Sequence, residues 1–177
     1  MLSFFQKITE VLDQYQIPYM LSGSIALGIY TVPRMTRDID FIIHLEAKNL
    51  DLFVDSFKEG FYCDRDGIKD AMVGPVKMFN IIDHESGYKA DFVVLKDDPY
   101  RQEEFSRRVM VNYIGRTIYV VSPEDLLISK LIWIQEYQSP IQIGDIKSLV
   151  EIDTLDWGYI SKWIKQLKLR TFDLINR

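Results

Sequence analysis

Cysteine occurs once in this chain of 177 residues and histidine twice. Cys63 alone excludes an internal disulfide and a thiolate-rich zinc site. His44 and His84 lack the spacing of a metal-ligand pair and read as structural, and Cys63 as a small loop or core residue. No apolar run approaches the roughly 18 residues needed to cross a bilayer. The opening MLSFFQKITEVLDQYQ has no basic leader, no unbroken apolar stretch and no small-residue cleavage site. Repeats, low-complexity tracts and Ser/Gly/Pro linkers are also missing. An excess of positive charge is lacking too: 21 Lys and Arg face 26 Asp and Glu, a net of −5, which argues against non-specific nucleic-acid binding. The expectation is a cytoplasmic protein with no membrane association.

What is present is 47% apolar and 13% aromatic residues. A chain of this length with that content can bury roughly 70% of its unfolded surface. The charge is uneven, with 16 acidic and 10 basic residues in 1–100 against 10 and 11 in 101–177. Near the end, Lys162, Lys165, Lys168, Arg170 and Arg177 face only Asp173, which reads as a solvated helix face.

Hydrophobic periodicity predicts a first helix capped by Ser3, with Phe5, Ile8, Val11 and Leu12 on one face, ending at Ile17-Pro18. Tyr19-Met20-Leu21 reads as a short buried strand, Ile25–Tyr30 as a helix broken by Thr31-Val32-Pro33, and Arg37–Ile43 as a strand. Helical spacing returns over 48–59 and closes at Gly60, and a short amphipathic turn follows over 67–73. Val76–Asp83 and Tyr88–Leu95 form a hairpin through His84-Glu85-Ser86-Gly87. A second hairpin spans Val109–Val121, turning at Ile114-Gly115, and either extends the sheet or covers a cleft. From Ser122-Pro123-Glu124-Asp125, with its cap, proline and first-turn acids, the pattern turns helical. Further helices are expected near 144–152, 156–168 and 170–176. Trp133, Trp157 and Trp163 have aliphatic neighbours and read as core, or one of them as a nucleobase platform. The layout is α+β: residues 1–121 as a small mixed sheet flanked by helices, residues 122–177 as a helical part packed on that core.

One constellation carries chemistry: Gly23-Ser24, thirteen further residues, then Asp38-Ile39-Asp40. Alternation along a strand puts Asp38 and Asp40 on one face. Two carboxylates 5 Å apart repel by about 3 kcal/mol at an effective dielectric near 20, which a cation between them or a bound proton relieves. Hard oxygen donors favour Mg²⁺. Gly23-Ser24, leading a strand into a helix, presents free N–H groups at a positive helix end where a phosphate can dock. Asp91 is the one acid in the largely apolar strand Tyr88–Leu95, where an unpartnered charge is costly. Were that strand beside the Asp38/Asp40 strand, three carboxylates would converge, and two cations about 3.5–4 Å apart could bridge them to a triphosphate. Asp97-Asp98 reads as a loop cap. Arg34 and Arg37 are placed to steer a nucleotide, with pairing to a neighbouring acid as the alternative for Arg37.

Gly23-Ser24, Asp38-x-Asp40 and Asp91 resemble the signature of the nucleotidyltransferase superfamily, the DNA polymerase β-like fold. The stretch LSGSIALGIYTVPRMTRDIDFII is similar to small bacterial members, including AbiEii-type toxins and aminoglycoside- or lincosamide-nucleotidyltransferase-like proteins. The likeness covers residues 17–95 and extends loosely to Ser122–Leu126 and Lys130. It implies Mg²⁺-dependent transfer of a nucleoside monophosphate from an NTP to a hydroxyl, with release of pyrophosphate. Asp38, Asp40 and Asp91 would be the catalytic and metal-holding residues, with two ions and with Asp91 as general base. Gly23, Ser24, Arg37 and Lys130 would hold the nucleotide. The acceptor would be a small molecule, an RNA 3′ end or a protein side chain. AbiEii-like members follow the lysine with a basic-acidic pair; here Gln135–Asp145 offers Asp145 without a preceding Arg or Lys. The alternative is a non-catalytic or regulatory nucleotide-binding module of a toxin–antitoxin-like pair, with a protein partner.

Overall fold

The computed structural model describes residues 1–175. Among them, seven strands form one mixed sheet and eight α-helices surround it. The strands are β1 (Tyr19–Ser22), β2 (Asp38–Ile43), β3 (Phe61–Cys63), β4 (Met78–Asp83), β5 (Lys89–Val94), β6 (Val109–Tyr113) and β7 (Arg116–Val120). The helices are α1 (Leu2–Gln14), α2 (Gly23–Tyr30), α3 (Leu50–Asp55), α4 (Arg65–Val73), α5 (Pro99–Ser106), α6 (Pro123–Trp133), α7 (Pro140–Val150) and α8 (Trp157–Gln166). The sheet order is β3-β4-β5-β2-β1-β7-β6, with β2/β5 and β1/β7 parallel and the other pairs antiparallel.

Register organises the centre of this sheet. Phe79 on β4, Phe92 on β5, Phe41 on β2 and Leu21 on β1 lie opposite one another in a transverse row. All four are buried, and the rings stack at centroid distances of 5.0 Å for Phe79–Phe92 and 5.4 Å for Phe41–Phe92. Phe5 of α1 and Phe53 of α3 close over this row. One residue along, the row Asn80–Asp91–Asp40–Ser22 crosses the same four strands. Since successive side chains alternate in direction, the polar row occupies the opposite face.

Helix starts follow local side-chain chemistry. The carboxylates of Asp64, Asp98 and Asp156 and the hydroxyl of Ser122 accept first-turn N–H bonds at α4, α5, α8 and α6, satisfying donors that a helix end leaves orphaned. The cap read at Asp97-Asp98 is therefore Asp98, and it opens a helix that its polar sequence PYRQEEFS conceals. Ser3 is not a cap; it lies inside α1, which begins after Met1. α6 is anchored by Asp125, whose buried carboxylate accepts bonds from Ser122 Oγ (2.7 Å), Tyr159 Oη (2.7 Å) and Arg107 Nε (3.2 Å).

Other expectations change. β3 is a seventh strand that three residues without alternation do not announce, and Cys63 lies on it, half-buried. The turn over 67–73 is the greater part of α4. The 109–121 hairpin extends the sheet through β7 against β1. α7 begins at Pro140 rather than near 144. No helix covers 170–175: Lys168, Phe172 and Asp173 have positive φ, incompatible with helical continuation. Positions 176 and 177, with Arg177 of the basic cluster, lie outside the described residues. Trp163 is buried against Tyr100, but Trp133 is 68% exposed at the last position of α6 and is not core. No described helix is long and apolar enough to cross a membrane.

Phe92→Ala is expected to cost roughly 3–5 kcal/mol by opening a cavity between Phe41, Phe53 and Phe79. Urea unfolding measures it, and a cost below ~1 kcal/mol would show that the aromatic row is not the core.

Candidate active site

The strand pairing that aligns the aromatic row also gathers the acids. Asp40 of β2 is directly opposite Asp91 of β5, and Asp38 is opposite Lys89. Four charged side chains thus form a two-by-two array on one face. The Lys89 ammonium lies 2.7 Å from Asp91 Oδ2 and 3.9 Å from Asp38 Oδ1. Its hydrogen bond to Asp91 raises its pKa and keeps it charged. Burial first, and then the neighbouring Asp91, push the Asp40 carboxyl above the usual carboxylate range, with the Ser24 backbone N–H pulling the other way.

Asp40 reaches that N–H because Gly23 has no side chain. Gly23 has φ +62°, and a Cβ there would overlap the Asp40 carboxylate outright. The glycine therefore serves two needs, a left-handed backbone at the β1–α2 junction and room for a carboxylate against the helix N-terminus.

A second cluster lies beside Ser24. Asp145 of α7 is clasped by two cations: Arg34 donates through Nε (3.0 Å) and a terminal nitrogen (3.1 Å), and Lys130 of α6 through Nζ (2.7 Å). Arg34 also donates to Ser24 Oγ, and Lys130 to Gln142 Oε1 at 3.0 Å. Burial would raise the Asp145 carboxyl, but the bonds from Arg34 and Lys130 outweigh it and hold the pKa below the usual value. Burial lowers the Lys130 pKa against the opposing pull of Asp145. Lys130 is only 4% exposed, so it is not a solvated helix lysine. The basic partner that Asp145 lacks in its own segment comes from the loop after α2, 111 residues away. Arg37 is exposed just before β2 and lines neither cavity described next.

Two cavities meet at the carboxylates. The smaller, about 250 Å³, is lined by Gly23, Ser24, Asp38, Asp40, Lys130 and Gln142 among others. The larger, about 660 Å³, takes in Asp40 and Asp91 and extends between the approach to β4 and the end of α6. Asp38 opens only onto the smaller and Asp91 only onto the larger, while Asp40 and Trp133 belong to both.

Nothing in this array is a closed metal cage: among the described residues no three His, Cys, Asp or Glu side chains converge to hold an ion. The donor chemistry nonetheless fits a hard divalent cation. Three carboxylates share one face, and the Lys89 ammonium among them occupies the place that electrostatics gives a cation.

Residues 1–173 match the family described as "Nucleotidyltransferase of unknown function (DUF6036)". The chain belongs to this nucleotidyltransferase family. Its fold is shared by solved structures of low identity. That of ANT(2")-Ia in complex with adenylyl-2"-tobramycin is 13% identical, covers 94% of this chain and 95% of that one, and has a TM-score of 0.63. The lincomycin-bound lincosamide antibiotic adenylyltransferase LnuA is 17% identical over 82% and 93%, with a TM-score of 0.57. An antigenic nucleotidyltransferase-like protein from Paracoccidioides brasiliensis is 18% identical over 88% and 81%, at 0.52. A comparison with curated proteins finds no match. This nucleotidyltransferase is thus an enzyme whose general reaction is transfer of a nucleoside monophosphate.

Gly23→Ala is expected to cost roughly 1–3 kcal/mol through the left-handed backbone alone and to push Asp40 off the helix end; thermal unfolding and NTP titration measure the two effects. Retained stability and NTP affinity would contradict the close approach. Asp145→Asn leaves Lys130 buried without its counter-charge, expected to cost roughly 3–5 kcal/mol near neutral pH. The folded-state pKa of Asp145 lies below its unfolded value, so its contribution is present above the unfolded pKa and lost as pH falls through the folded one. The gap between Asp145→Asn and wild type should therefore narrow on acidification, and a pH-independent gap in urea unfolding would refute the clasp.

Proposed function

We propose that this enzyme moves a nucleoside monophosphate from an NTP to a hydroxyl acceptor at the junction of the two cavities. The observation that carries this is the division of the carboxylates: Asp38 on the side of the helix N-terminus, Asp91 on the side of the large cavity, Asp40 between them. The triphosphate tail fits the smaller cavity, where the α2 N-terminus, the Ser24 hydroxyl and Lys130 supply donors and positive charge. Arg34, held by Asp145, adds charge behind Ser24. Asp38, Asp40 and Asp91 are the residues that would hold Mg²⁺, in a one- or two-ion arrangement. The metal, when bound, would neutralise the phosphates and polarise the α-phosphorus.

Asp91 faces the acceptor and is placed to receive its hydroxyl proton. The acceptor oxygen then forms a bond to the α-phosphorus, the bond from that phosphorus to the bridging oxygen of the β-phosphate breaks, and pyrophosphate leaves. Positioning and charge neutralisation dominate such a transfer. Lys89 must give up its bond to Asp91 for the carboxylate to take the proton. The adenylyl product named in the ANT(2")-Ia complex and the lincomycin bound to LnuA support a small-molecule acceptor here as well.

With labelled NTPs, Mg²⁺ and a hydroxyl panel, wild type should label an acceptor and release pyrophosphate. Asp91→Asn should lower the rate ~10²–10⁴-fold while NTP still binds. Equal labelling by the variant would remove Asp91 from the chemistry. A stable complex with a protein partner and no turnover would favour a regulatory module instead.

A further inference from the structure

The large cavity has a chemical preference that the reacting groups do not dictate. We infer that the acceptor is a small hydroxyl compound with an apolar, aromatic-compatible face, bound without reliance on positive charge, an inference that rests on the transfer reading above. Asp91 opens only onto this cavity, so the hydroxyl that loses its proton must reach Asp91 from there. A volume of about 660 Å³ lies within the range of cavities that enclose drug-sized ligands.

Away from the carboxylates the wall is apolar and unusually open. Trp133 is 68%, Val76 70% and Met78 48% exposed, and all three line the cavity. Large apolar side chains gathered at one concave surface mark a binding site more often than scattered ones do. Trp133, at the edge common to both cavities, offers a ring face to an acceptor beside the nucleotide.

The charges point the same way. Lys77 and Lys96 line the cavity, and Glu136 is the one acid among its lining residues other than Asp40 and Asp91. Lys77 gives one bond to the Met72 carbonyl (2.7 Å), leaving two ammonium protons for a ligand. Arg101 is already engaged by Glu104 (2.7 Å) and Ser129 (2.8 Å) and forms wall rather than binding group. Of the acids that line it, Asp91 is paired with Lys89 (2.7 Å), which leaves Asp40 and Glu136 to balance Lys77 and Lys96. A polyamine entering this cavity would meet the two lysine ammonium groups along with the Asp40 and Glu136 carboxylates, so its added positive charge brings no net gain. An RNA end would need a track of phosphate-neutralising cations, which two lysines do not make.

Calorimetric titration of the full chain at low salt tests this with three hydroxyl-bearing probes: tobramycin, 4-nitrophenyl β-D-glucopyranoside and 4-nitrophenyl β-D-glucuronide. Both aryl glycosides are expected to bind at least ~10-fold tighter than the polyamine. Trp133→Ala should weaken both aryl probes by roughly tenfold, the equivalent of a lost ring contact. Lys77→Glu with Lys96→Glu should weaken the glucuronide and spare the glucoside, a split that general damage to the fold would not produce. Tobramycin binding tightest, or neither aryl probe binding while ATP does, overturns the assignment and leaves the transfer reading standing. Aryl binding without any binding of ATP and Mg²⁺ strikes the transfer reading and leaves the preference of the cavity intact.

Discussion

The pairing of β2 with β5 is the constraint on which both stability and chemistry rest. It sets Phe41 against Phe92 on one face and Asp40 against Asp91 on the other. A slip of one residue would turn the phenylalanines into the cleft and the carboxylates into the core. The acids alone would oppose this pairing, by about 3 kcal/mol at close range. The buried ring row holds it, since each phenylalanine removed from water contributes roughly 1.5–3 kcal/mol. Apolar packing beneath the sheet thus maintains an unfavourable charge distribution above it, which Lys89 moderates until something more highly charged arrives.

Two further contacts attach the rest of the molecule to that pair. The bare backbone of Gly23 lets the Asp40 carboxylate rest on the start of α2, so one residue belongs both to the acid array and to a helix end. Asp145 joins Arg34 from the loop after α2 to Lys130 of α6, bringing three distant segments to the smaller cavity. Asp125 acts further back: by fixing the start of α6 it sets where Ser129, Lys130 and Trp133 emerge.

Much of this is written locally in the chain. The alternation in DIDFII gives a two-faced strand, the small pair Gly23-Ser24 a strand-to-helix junction, and Ser122-Pro123-Glu124-Asp125 a helix start. Other features leave no local trace. β3 has three residues, too few for a period to show, and α5 has only Tyr100 and Phe105 as large apolar side chains, too few to mark a face, so only its Asp98-Pro99 entrance betrays it. Arg34 and Asp145 meet across 111 residues, a distance over which spacing carries no information. Trp133 has aliphatic neighbours in sequence like any core tryptophan, and only the direction of the last turn of α6 turns it outward. The stretch over 170–175 has helical composition, but the left-handed backbone at Lys168, Phe172 and Asp173 breaks it.

β2 is fourth of seven strands, with three neighbours on either side. Both margins of the sheet, β3 and the β6 hairpin, belong to strands without a reacting group. The reaction centre is in this sense insulated: new loops, added strands or a fused domain at the Ile114-Gly115 tip would remodel the periphery while the middle strands kept their neighbours. A scaffold arranged in this way can vary its outer surface widely without disturbing its chemistry.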